Sequence, residues 1–128
     1  ALQAILDAQA QAMRAALPSR DLFGQQCQQA VVQAVQQGEV SIGAVAERLG
    51  LSVRGVQRRL AAQNTQYQAE LDRIRRTLAD QYLKDLRLGL ADIALLLGYS
   101  EQSAFQRAYK HWTGETPQKT RQRLQHLT

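Results

Sequence analysis

AERLGLSVRGVQRRL, residues 46–60, and ALLLGYSEQSAFQRAYKHW, residues 94–112, write one pattern twice in a chain of 128 residues. Ala46 and Ala94, Leu49 and Leu97, Gly50 and Gly98, and Ser52 and Ser100 correspond at an offset of 48. Further on the offset is 49, pairing Val56 with Phe105, Gln57 with Gln106, Arg58 with Arg107 and Leu60 with Tyr109. The second copy therefore carries one extra residue near the start of its second helix. Each position has a task in a helix-turn-helix. The small Ala lets two helices cross closely, and Leu49 or Leu97 fills the angle between them. Gly supplies the left-handed turn. Ser caps the next helix, whose free N–H groups and positive dipole end can face a phosphate.

The rest of the chain reads as helix. Pro stands only at 18 and 117, and no stretch alternates Val, Ile or Thr in the manner of a strand. Leu2, Leu6, Met13 and Leu17 recur at near-helical spacing until Pro18. Asp21 is the expected cap of a helix with Phe23, Cys27, Ala30, Val31 and Ala34 on one face, stopping at Gly38. Seven Gln between residues 25 and 37 make its surface amide-rich. Ser41 begins the first helix-turn-helix, residues 41–62. A long helix over 66–86 carries the stripe Tyr67, Leu71, Ile74, Leu78 and Tyr82. At about 1.5 Å per residue it is ~30 Å long, near the ~34 Å between successive grooves on one face of a duplex. The second helix-turn-helix covers 89–112. Thr116-Pro117, a cap followed by Pro at the first helical position, starts a last helix over 116–126. The expected fold is all-α, two helix-turn-helix subdomains joined by a long linker helix.

With Val56, Leu60, Phe105 and Tyr109 facing the core, the opposite faces of the two second helices are polar and basic. They hold Arg54, Gln57 and Arg58 in one copy, and Gln102, Ser103, Gln106 and Arg107 in the other. Arg pairs bidentately with guanine and Gln with adenine in a major groove. Singly, each is an ordinary exposed helix residue; placing Gln-Arg after the buried apolar residue in both copies is what argues for readout. Charge agrees. Residues 1–50 carry three Arg against four carboxylates, whereas residues 51–128 carry thirteen basic against seven acidic groups. Arg-rich surfaces suit polyanions. Ser52, Ser100, Lys110, Lys119 and Arg121 are the expected phosphate contacts, with Arg123 beside them. Ala104 offers at most methyl contact to thymine. Arg75 is expected to brace a helix end, Arg73 and Arg76 to face solvent, and Trp112 to join the core.

IALLLGYSEQSAFQRAYKHWTGETP, residues 93–117, together with Arg75 and Ala79 in the linker helix, resembles the signature of the AraC/XylS transcriptional regulators. The likeness extends over residues 21–126, with the first copy the more divergent. It implies two recognition helices in successive major grooves, held by the linker helix. Double-stranded DNA and RNA polymerase are the partners expected of such a chain. Gly55 departs from a good recognition helix, weakening it by up to ~1 kcal/mol relative to Ala. Residues 1–20 would be a helix left from the connection to an effector or dimerisation domain; a front packing helix of a complete small protein is the alternative.

Other chemistries find little support. Cys27 is alone, and His111 and His126 lack a third partner at ligand spacing, so neither metal nor cofactor is expected. No Ser-His-Asp pattern, glycine-rich phosphate loop or isolated carboxylate pair points to an enzyme. No run approaches the roughly 20 apolar residues of a membrane span, and no signal peptide opens the chain, so a cytoplasmic location is expected. The rival from another class is a helical protein-interaction or dimerisation module using the Leu2, Leu6, Met13, Leu17 stripe.

Overall fold

In a computed structural model, residues 21–126 are described. The expected helix over 1–20 and its Leu2–Leu17 stripe lie outside them. Among the described residues seven helices follow one another: α1 Leu22–Gln36, α2 Ile42–Leu49, α3 Val53–Ala62, α4 Tyr67–Leu83, α5 Leu90–Leu96, α6 Gln102–Thr113 and α7 Pro117–His126. Among the described residues there is no strand.

Local chemistry sets most of the boundaries. Asp21 Oδ1 accepts from Gly24 N at 2.7 Å, Ser41 Oγ from Ala44 N at 3.2 Å and Ser52 Oγ from Gly55 N at 3.0 Å. Thr116 Oγ1 accepts from Lys119 N at 3.2 Å ahead of Pro117. Each satisfies an N–H that the helix leaves unpaired. The Gly turns close the helices in one repeated way. Gly50 (φ +66°) donates to Glu47 O at 3.1 Å while Leu51 donates to Ala46 O at 3.0 Å. Gly98 (φ +86°) donates to Leu95 O at 3.0 Å while Tyr99 donates to Ala94 O at 2.9 Å. These are two Schellman ends in equivalent positions. The doubled sequence is a doubled structure.

α1, α2 and α3 form the first unit, α5, α6 and α7 the second, and α4 packs on α1 on one side and on all three helices of the other. The core runs continuously through both. Val31, Val35, Val45, Val56 and Leu60 fill it in the first unit and Ile93, Leu97, Phe105 and Tyr109 in the second; Ile74, Leu78 and Tyr82 of α4 lie between. Ala46 and Ala94 are buried at the helix crossings. Leu97 is fully buried, but its counterpart Leu49 is only half-buried. Trp112 sits at the rim, half-buried, its ring edge-on to Tyr109 with centroids 6.4 Å apart.

The linker helix differs from expectation. It spans 17 residues, ~25 Å at the usual rise, and ends at Leu83 instead of 86. Asp85 stops it: its carboxylate accepts from Arg87 N at 3.0 Å and from the Arg87 guanidinium at 2.9 and 2.8 Å, folding the chain into a turn. The relation between the two units is thus set by packing on α4, not by its length. Arg73 is also not simply solvent-facing. It reaches buried Glu70 at 2.5 Å and Gln28 at 3.2 Å, tying α4 to α1.

One core group is costly. The Tyr82 hydroxyl is fully buried with no hydrogen-bond partner among the described residues, and burial pushes its pKa up to about 12. Removing an unsatisfied buried hydroxyl removes its desolvation penalty. Tyr82→Phe is therefore expected to be neutral or to stabilise by up to about 1 kcal/mol in urea unfolding; a clear loss would mean that the hydroxyl has a partner. Because the folded value lies above the ordinary 10.0, the wild-type fold loses stability as pH climbs from there to about 12. Tyr82→Phe should lack part of that alkaline loss.

Candidate nucleic-acid interface

α3 and α6 each bury one face and present the other. Val56, Leu60, Phe105 and Tyr109 are between 0% and 2% exposed, which pins both helices to the core. Arg54, Gln57 and Arg58 of α3 are exposed, as are Gln102, Ser103 and Arg107 of α6; Gln106 is half-buried. Among the described residues, Arg54, Arg58 and Arg107 form no ion pair. Their guanidiniums are available to an external anion or a base edge. Lys110 and Lys119 are exposed and likewise form no ion pair among the described residues.

The two helix starts are not equivalent. Ser52 caps α3 directly, and a Cβ at Gly55 would sit 3.2 Å from Ser52 Oγ, so the small residue lets the cap close tightly. In the second copy the chain takes four residues from Gly98 to the first helical residue Gln102, against three from Gly50 to Val53. The extra residue displaces Ser100 from the cap. Glu101 occupies it, with no side-chain hydrogen bond. The expected capping role of Ser100, and with it the reason for giving it a phosphate, is therefore corrected. A carboxylate at this end suits the helix dipole but opposes a phosphate.

Arg121 is a second correction. Its Nε donates to Leu83 O at 3.1 Å and Nη1 to Leu88 O at 2.7 Å, while Nη2 reaches Tyr82 O at 3.4 Å and Asp85 O at 3.3 Å. The fork is consumed by the carbonyl end of α4 and the following turn. Burial lowers its pKa, partly opposed by the Asp85 carboxylate. It holds α7 in place, with four of its five N–H donors turned to these carbonyls. Arg123 is likewise engaged, 3.1 Å from Glu115, and its hydrogen bond holds the Glu115 carboxyl below the ordinary carboxylate range.

Arg75 does brace a helix end: its Nε donates to Leu97 O at 2.9 Å and its guanidinium lies 4.3 Å from the Tyr99 ring centroid. Two ties escaped the sequence reading. Arg59 lies over the Phe23 ring at 5.5 Å, and Gln63 Nε2 donates to Asp21 Oδ2 at 2.9 Å, joining the end of α3 to the start of α1. No pattern signals them, because the partners are about forty residues apart. Among the described residues, no cluster of three or more His, Cys, Asp or Glu could hold a metal, and no helix is long and apolar enough to cross a membrane.

Two units with matching glycine turns, each exposing the polar and basic face of its second helix, define a tandem helix-turn-helix DNA-binding domain. A family model described as a helix-turn-helix domain matches residues 45–123. The chain is 44% identical over 84 residues to the HTH-type transcriptional regulator VirS of Mycobacterium tuberculosis, covering 66% of this chain and 25% of that protein. It is 46% identical over 72 residues to the ornithine utilization regulator of Pseudomonas aeruginosa, covering 56% and 21%. Among solved structures, the transcriptional regulator CdpR from Pseudomonas aeruginosa aligns with a TM-score of 0.62 at 36% identity, over 75% of this chain and 31% of that one. A DNA-binding transcriptional dual regulator from Escherichia coli K-12 aligns at 0.74 over 84% and 96%; at 19% identity that likeness speaks for the fold alone. The chain belongs to the AraC/XylS family of helix-turn-helix transcriptional regulators. It spans about a quarter of the length of the curated relatives it matches.

Proposed function

We propose that this chain binds double-stranded DNA sequence-specifically with α3 and α6 in successive major grooves, and so directs transcription. The carrying observation is the pair of Arg/Gln faces, exposed except at half-buried Gln106 and without ion pairs among the described residues, on helices whose other sides are locked into one core. Arg54, Gln57 and Arg58 read bases from the first unit, and Gln102, Ser103, Gln106 and Arg107 from the second. Ser52, Lys110 and Lys119 meet phosphates. RNA polymerase is the protein partner, the bacterial cytoplasm the location, and residues 1–20 the connection to an effector or dimerisation domain.

Selection from a random duplex pool should yield a two-part asymmetric site. Affinity for it should fall steeply with salt, as counterions released from phosphates enter the equilibrium. An interaction module without DNA readout gives neither result. Arg107→Ala should cost ~1–3 kcal/mol of binding and relax selectivity at one base position. Lys119→Ala should instead weaken all duplexes about equally and reduce the salt slope. An Arg107→Ala variant that binds the selected site like wild type removes α6 from the groove.

A further inference from the structure

We infer that Arg75 is a positioning residue that fixes the register between the two recognition helices, so that the protein accepts its two half-sites at only one spacing. This rests on the reading of α3 and α6 as the groove-entering helices.

The turn before α6 is the joint between the two units. A Cβ at Gly98 would stand 3.2 Å from Arg75 Nη2, 3.2 Å from Val40 Cγ1 and 3.6 Å from Val35 O. Val35 closes α1 and Val40 leads into α2, so the first unit, the linker helix and the second unit converge on one glycine. Tyr67 at the start of α4 adds a bond from its hydroxyl to Val40 O at 2.6 Å. The equivalent turn in the first unit is open among the described residues: a Cβ at Gly50 meets none of their atoms within 4 Å. The same device is thus free in one copy and wedged in the other.

Arg75 controls that wedge from both sides. Its Nε holds Leu97 O, the residue before the glycine, and its guanidinium carbon lies over the ring of Tyr99, the residue after it. It is only 7% exposed, and among the described residues no carboxylate pairs with it. A buried charge met by a carbonyl and a ring is a poor way to fill volume, and an apolar side chain would pack there at less cost. What the guanidinium adds is direction. Rotation of α5–α6 about α4 must break the bond to Leu97, unstack Tyr99 and drive Gly98 against Val40. Arg75 is too deeply buried to touch DNA, so its effect reaches the duplex only through the aim of α6 relative to α3.

The test uses the full chain and the duplex selected for it, with one base pair inserted or removed between the half-sites. That change rotates one half-site by about 35° against the other. Wild type should lose at least about tenfold in affinity, as for a badly mismatched site. In Arg75→Ala the spacing penalty should shrink about threefold or more, while binding to each isolated half-site stays as in wild type. Arg75→Lys, which can still reach Leu97 O without the stacked plane, should restore part of the penalty. Tyr99→Leu keeps the bond and removes the ring, giving a second route if Arg75→Ala fails to fold, as judged by circular dichroism and thermal midpoint. Folded variants that keep the wild-type spacing penalty, or that lose affinity equally on native, shifted and half-site duplexes, overturn the inference. A wild type that selects no site and shows no salt-dependent binding overturns the DNA reading itself, which is a different result.

Discussion

Gly98→Ala should destabilise the protein far more than Gly50→Ala, although the two glycines occupy the same place in the repeated motif. Both have positive φ, +86° and +66°, so alanine at either strains the backbone by about 1–2 kcal/mol. At Gly50 that is the whole cost, because the added methyl meets nothing within 4 Å among the described residues. At Gly98 the methyl presses on Arg75 Nη2 and Val40 Cγ1, both at 3.2 Å, in a closely packed joint. Overpacking of this kind adds about 1–3 kcal/mol. Arg75 is the softer neighbour, and if it yields it gives up Leu97 O or the Tyr99 ring. Urea unfolding of the two variants side by side measures the difference. Equal losses would mean that the joint around Gly98 is looser than these distances indicate.

Arg121→Ala should be the most damaging single change on α7, lowering stability by about 2–4 kcal/mol through the carbonyls it leaves unpaired. For a domain of this size that is a fall in Tm on the order of 10 °C or more. The reason is geometric. One guanidinium serves Leu83, Leu88, Tyr82 and Asp85 carbonyls at 2.7 to 3.4 Å; Tyr82 O and Asp85 O also accept from Asp85 N and Leu88 N, so the clasp matters most at Leu83 O and Leu88 O. Lysine is no substitute, since a single ammonium cannot span that fan, so Arg121→Lys should recover little. The variant also separates two roles for this residue. A structural clasp predicts lost Tm with DNA affinity recovered at low temperature, where the fold persists. A phosphate ligand predicts intact Tm and weakened binding to every duplex.

These two residues mark where reading the sequence stops. Local features were legible because their physics is local. Asp21, Ser41, Ser52 and Thr116 cap helices by bonding an N–H three residues on, and that spacing is written in the chain. The Tyr67, Leu71, Ile74, Leu78, Tyr82 stripe declares which face of α4 is covered. Glycine turns, the buried Val56, Leu60, Phe105 and Tyr109, and the exposed Arg58 and Arg107 follow from periodicity and from the repeat itself. The family signature in residues 93–117 added what the two units do together.

The sequence by itself thus determined the helices, the two repeated turns and the polar faces offered to a partner. Only the tertiary structure decided which of the equivalent residues are equivalent in fact. Ser100 lost its cap to a one-residue insertion, Leu49 stayed half-buried where Leu97 is sealed, and the linker helix stopped short at Asp85. Arg75 meets its carbonyl 22 residues away, and Arg121 meets its carbonyls 33 to 39 residues away. At such separations a side chain's partner is set by how helices cross in space. A guanidinium that looks free for phosphate in the sequence goes instead to whichever unpaired carbonyls the packing brings within about 3 Å of it.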